Sequence, residues 1–215
     1  MFSQIKGVVE VVSSGFKTIR EFKSAKDREQ GILDMLRFYF LLKDCVDDGE
    51  ALILEAGSNP VAKIAAMPSD KANEVIARWD QALRRQASRL NTLQGLLFTQ
   101  DALAVINPSL EARLNQAVGN KMNRAVTLHG IGSALVIRCM FPLDETIVEK
   151  AKLVAMLAGE RSRDKINLDR IRREVADLRA ALDDYRHHIT LLATNDELLK
   201  LSKKARKVTR PPKEA

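Results

Sequence analysis

Residues 168–192 read LDRIRREVADLRAALDDYRHHITLL, and their spacing carries the strongest signal of fold class in the chain. Leu168, Ile171, Val175, Leu178, Leu182, Tyr185, Ile189 and Leu192 return at alternating steps of three and four, which places them on one side of an α-helix. No charged residue interrupts the row, and the positions between hold mostly Asp, Glu, Arg, His and Ala. A seam of this kind is hidden from water by the seam of a neighbouring helix. The helix is expected to begin near Ser162 or Arg163. The fold class that follows is all-α, a bundle with coiled-coil-like antiparallel packing.

Four other segments repeat the pattern. Ile5, Val8, Val9, Val12, Phe16, Ile19 and Phe22 form one amphipathic face near the N-terminus. A second helix is expected from Asp27 to Glu55, with Met35, Phe38, Tyr39, Leu42, Cys45, Val46, Leu52 and Ile53 on a wide apolar face. Leu33, Leu36, Phe40 and Leu41 make its middle apolar nearly all round, so it belongs at the centre of the bundle. A third runs over 70–100 with Ile76, Trp79, Leu83, Leu90, Leu93 and Leu97 as its stripe, Gln86 within the seam, and Ser69 or Asp70 as cap. Asn107-Pro108-Ser109 opens a fourth, with a bend near Gly130 and a stop or kink at Pro142. A shorter helix reaches about Ala158. The count is five or six helices, three or four of them long, in one domain over 1–200, followed by a basic, disordered tail over 201–215.

Composition agrees. Hydrophobic residues make up 46% of the 215, enough for a core and too many for a disordered chain, while aromatics are only 5%. Cys45 and Cys139 stand far apart with no CxxC pair, which indicates neither a disulfide framework nor a zinc site. The first residues lack the pattern of a secretory signal, and the longest apolar stretch, 128–143, is interrupted by His129 and Arg138. A cytoplasmic location is expected. Net charge is +7, and its excess lies late in the chain: residues 1–60 hold 8 basic and 10 acidic side chains, whereas 161–215 hold 15 and 9. A partner selected by charge meets the C-terminal end first.

Candidate functional residues fall in that region. Lys165, Arg172, Arg179 and Arg186 are seven apart and form one basic stripe on the last long helix, suited to phosphate or an acidic partner. Asp27, Asp34, Asp48 and Glu55 follow the same period on the second helix, so the two stripes are alternatively expected to complement each other inside the bundle. Lys203, Lys204, Arg206, Lys207 and Arg210 then make the tail a candidate for nucleic acid, with six basic residues against one acidic between 203 and 215. No aromatic residue is interleaved there to stack on bases.

Three further patterns bear on chemistry. Arg124-Ala125-Val126-Thr127-Leu128-His129 resembles the Arg-x4-His element of HEPN ribonucleases, themselves helical bundles. The resemblance implies a catalytic Arg124 and His129 at a dimer cleft, with the cation steadying charge on phosphate and the imidazole moving a proton. The family prefers a polar residue after the Arg, where this chain has Ala125. Asp44 to Glu55 is similar to a calcium loop at its first, fifth, sixth and twelfth positions, but Val46 stands where an oxygen ligand is needed. His187 and His188 are adjacent and fall on different sides of a helix. No Gly-rich phosphate loop, nucleophile elbow or HExxH is present.

The expectation is therefore a non-enzymatic interaction or scaffold subunit that meets protein partners, or itself, through helical faces, without cofactor, metal or small-molecule substrate. A nucleic-acid-binding accessory protein, a HEPN-like ribonuclease and a membrane-active bundle led by residues 1–23 are the alternatives.

Overall fold

The computed structural model describes residues 5–10, 12–13, 24–57, 63–64, 66–98 and 168–209. They form five helices: α1 (helical residues 5–10 and 12–13), α2 (Ala25–Ala56), α3 (Ser69–Phe98), α4 (Leu168–Thr190) and α5 (Asn195–Thr209). Among the described residues there is no strand. The all-α expectation is met.

Helix α2 starts where Ser24 Oγ accepts the Asp27 amide at 3.2 Å, satisfying one of the amide groups that the first turn leaves unpaired. It stops at Gly57, whose φ of 68° is open to glycine and strained for other residues, and whose amide returns to the Ile53 carbonyl at 3.2 Å. Between Gly31 and Gly49 no residue of α2 is exposed. The reason is that α3, α4 and α5 all pack against it.

Side-chain pairings give the directions. Arg172 donates to the Gly57 carbonyl, Arg179 to Asp47 and Glu50, Tyr185 to the Met35 carbonyl, and Arg28 of α2 to the Leu192 carbonyl, so α4 is antiparallel to α2. Helix α3 is antiparallel too, with Arg78 and Trp79 at Glu55, Gln86 at Cys45 and Arg89 at Asp48. After a turn over residues 191–194 the chain reverses, and α5 lies on α2 with Glu197 at Arg28 and Arg206 at Asp44.

One core joins these elements. It takes Ile5, Val8, Val9 and Val12 from α1, positions from Ile32 to Val46 of α2, Leu90 and Leu93 from α3, Val175, Leu178, Leu182, Tyr185 and Ile189 from α4, and Leu201 and Ala205 from α5. Five of the eight seam residues of 168–192 are therefore fully buried, and Ile171 and Leu192 pack against the same core. The apolar side of α1 faces inward, as a bundle helix requires.

Two expectations are corrected. The buried row of α3 runs through Val75, Trp79, Ala82, Gln86, Leu90 and Leu93, with Ile76 and Leu83 only half-buried at its edge. Three-and-four steps fit either row, which share Trp79, Gln86, Leu90 and Leu93, and the rotation of α3 against α2 turns Val75 and Ala82 inward in place of Ile76 and Leu83. The second concerns the tail: residues 201–209, expected to be disordered, continue α5 and bury Leu201, Ala205 and Thr209. Thr194-Asn195-Asp196-Glu197 supplies the reason. The Glu197 carboxylate accepts the Thr194 amide at 3.0 Å and the Glu197 amide reaches Thr194 Oγ1 at 3.4 Å, a reciprocal cap that launches a new helix.

No helix among the described residues is long and apolar enough to cross a membrane.

Candidate functional site

The basic side chains expected to bind a partner are sorted by the fold into those engaged within it and those left outside. On α4, Arg172 bonds Asp169 at 2.8 Å and the Gly57 carbonyl at 3.1 Å. Arg179 reaches Asp47 at 2.6 Å and Glu50 at 3.0 and 2.5 Å. The Glu50 carboxylate raises the Arg179 guanidinium further above its ordinary value despite partial burial, with Asp47 acting in the same direction. Burial raises the Asp47 carboxyl, but hydrogen bonds from Lys43 and Arg179 outweigh it and leave it below the usual range. Arg186 is exposed, and Lys165 lies outside the described residues.

The acidic period on α2 meets different partners from those expected. Asp27 sits in the α2 cap, and Asp34 takes Gln30 and Arg37. Asp48 is held by Arg85 and Arg89, and Glu55 by Arg78 and the Trp79 indole. Asp48 and Glu55 thus face α3, while Asp47 and Glu50, on another side of α2, face α4. A seven-residue period fixes which residues share a face; it does not say which neighbour occupies that face.

Helix α5 divides its own charge in the same way. Lys204 pairs with Glu29 at 2.7 Å and holds that carboxyl below its ordinary range. Arg206 gives one nitrogen to both Asp44 oxygens at 2.8 and 2.7 Å and lies 4.1 Å over the Phe40 ring. These two side chains leave α5 on opposite flanks of its inward strip of half-buried Leu198 and buried Leu201 and Ala205. Burial of Leu201 contributes about 1.5–3 kcal/mol, whereas Lys204 and Glu29 meet at the solvent-exposed surface, where screening leaves a pair little net stabilisation. Apolar packing therefore holds α5 in place, and the flanking pairs set its rotation.

That rotation turns Lys200, Lys203 and Lys207 outward, three exposed ammonium groups at helical spacing with no ion pair among the described residues. Asp196, exposed one turn before Lys200, marks the acidic end of this face. Lys203 and Lys207 are candidates from sequence. Lys200 is not, because it precedes the tail that composition begins at 201; the Thr194–Glu197 cap and the Leu198, Leu201, Ala205 spacing are the signals that place it on the same helix. Arg210 lies outside the described residues, as do Arg124 and His129 of the Arg-x4-His element.

Other groups are settled inside the fold. Among the described residues no three His, Cys, Asp or Glu side chains converge as metal ligands. Asp44 and Glu55, the ends of the calcium-like stretch, are engaged by Arg206 and Arg78 on a continuous helix. Burial pushes the Cys45 thiol up to about 12, so it stays protonated beside the Gln86 carbonyl and is a poor nucleophile. Comparison with protein-family models, curated proteins and solved structures finds no match to this chain.

Proposed function

We propose that this chain is a non-enzymatic helical subunit that acts by docking within a larger assembly, and that the outward side of α5 is its contact surface. The observation that supports the reading is the division of charge on α5: Lys204 and Arg206 are committed to α2, whereas Lys200, Lys203 and Lys207 face solvent together. Lys200 lies near enough to Glu29 to help lower that carboxyl, but among the described residues neither it nor Lys203 or Lys207 is drawn into an ion pair. Their common outward direction suits an anionic partner.

The test is purification of the native complex, with light scattering in line with gel filtration, for the wild-type chain and for a Lys200→Glu, Lys203→Glu, Lys207→Glu variant. The variant is expected to keep its helical circular dichroism and to elute without the partner. Co-elution of an unchanged complex would overturn the proposal.

A further inference from the structure

We infer that Lys200, Lys203 and Lys207 on the outward side of α5 contact the phosphate backbone of nucleic acid. This rests on the reading of α5 as the contact surface and assigns the class of partner. Lys200 to Lys207 spans about 10.5 Å at 1.5 Å per residue, and over that length one strand of duplex DNA presents about three phosphates at 3.4 Å each. Along the duplex axis the charge density of one strand is thus comparable to that of the lysine row. Lys204 and Arg206 keep the row aimed outward by holding both flanks of the helix to α2.

The surroundings of the row separate this partner from the two other anionic classes. The centre of a protein interface is depleted in Lys and is anchored by aromatic or apolar side chains. On α5 the exposed apolar residues, Leu199 and Val208, lie on opposite edges of the row and leave its centre purely cationic. A helix lying on a lipid surface needs one continuous apolar side to insert, and the apolar side of α5 is already spent on α2. A sugar–phosphate backbone requires only the charges. With no aromatic residue on α5, the lysine row positions the chain on the polymer without reading its bases. In sequence, the basic character continues past the helix in Arg210 and Lys213.

The experiment uses the full chain and a labelled mixed-sequence DNA duplex, titrated by fluorescence anisotropy between about 50 and 200 mM salt. The wild type is expected to bind, and a Lys200→Gln, Lys203→Gln, Lys207→Gln variant with unchanged circular dichroism is expected to bind at least about tenfold more weakly. Its log–log salt dependence should be shallower, by about 0.9 for each phosphate no longer neutralised and by at most about 2.7 for all three lysines. Lys71→Gln, an exposed lysine on α3, should behave as wild type. DNA binding that is absent, or equal in the triple Gln variant, overturns the inference. Polyglutamate and phosphatidylserine vesicles are run in parallel. If either binds through these lysines while DNA does not, the partner class is wrong and the α5 contact surface stands. If no probe responds to the triple variant and the native complex also survives it, both readings fall.

Discussion

Tyr185 has no exposed surface, and its ring meets Phe38 edge-on with centroids 5.4 Å apart. Its hydroxyl donates to the Met35 carbonyl at a long 3.3 Å, and burial raises it well above the ordinary phenol range, so it remains protonated. The ring therefore matters more than the oxygen. Tyr185→Phe is expected to cost about 1 kcal/mol, the net worth of an ordinary hydrogen bond, and Tyr185→Ala about 3–5 kcal/mol, as for other large aromatic truncations. Urea unfolding followed by circular dichroism measures both; equal losses would show that the packing of α4 on α2 does not depend on this ring. Gln86 illustrates how far a single residue can be read in advance. A polar side chain within an apolar stripe announces a buried partner, but that the partner is the Cys45 carbonyl, at 2.8 Å, depends on the register between α3 and α2. Sequence spacing within one helix carries no register information.

At the scale of an element, α5 exists because its first turn is capped. Thr194→Ala removes both the acceptor for the Glu197 amide and one bond to the Glu197 carboxylate. The Thr194 amide, the largest influence holding that carboxyl below its ordinary range, is then held less firmly. The expected loss is about 0.5–2 kcal/mol, and hydrogen exchange should accelerate in α5 before it does in α3. Uniform acceleration across the described helices would mean that α5 is not a separable unit. The long helices are legible because their apolar residues outnumber what a solvated stretch would carry. Helix α5 is hidden by its composition: a run of Lys and Arg resembles a tail, and of its inward positions only Leu198, Leu201 and Ala205 are apolar, Thr209 being polar. Its outward lysines become a candidate surface once the flanking pairs to Glu29 and Asp44 fix which way the helix faces.

For the whole molecule, the charge network that ties α3, α4 and α5 to α2 sets the response to acid. Asp47 and Glu55 titrate below their ordinary values of 3.8 and 4.5 in the folded chain, because Lys43, Arg179, Arg78 and Trp79 outweigh the effect of burial. The unfolded state therefore binds protons first as pH falls. Their stabilisation is present in full above the ordinary carboxylate range and is lost as pH drops through the lower folded-state values. The melting temperature should stay nearly level from about pH 7 to 5 and decline below about 4.5, and Asp47→Asn should make that decline shallower. A steeper decline in the Asn variant would contradict the assignment.

The enclosure of α2 also bears on how the chain tolerates change. Every side of its middle answers to a neighbour, from Ile32 and Met35 in the core to Asp44, Asp47 and Asp48 in ion pairs with three different helices. In a saturation library selected for folding alone, residues 31–49 should accept few replacements on any side, whereas α5 should be permissive along Lys200, Lys203 and Lys207. A selection that demands the chain's activity should then close those three positions as well, and the difference between the two selections would trace its working surface.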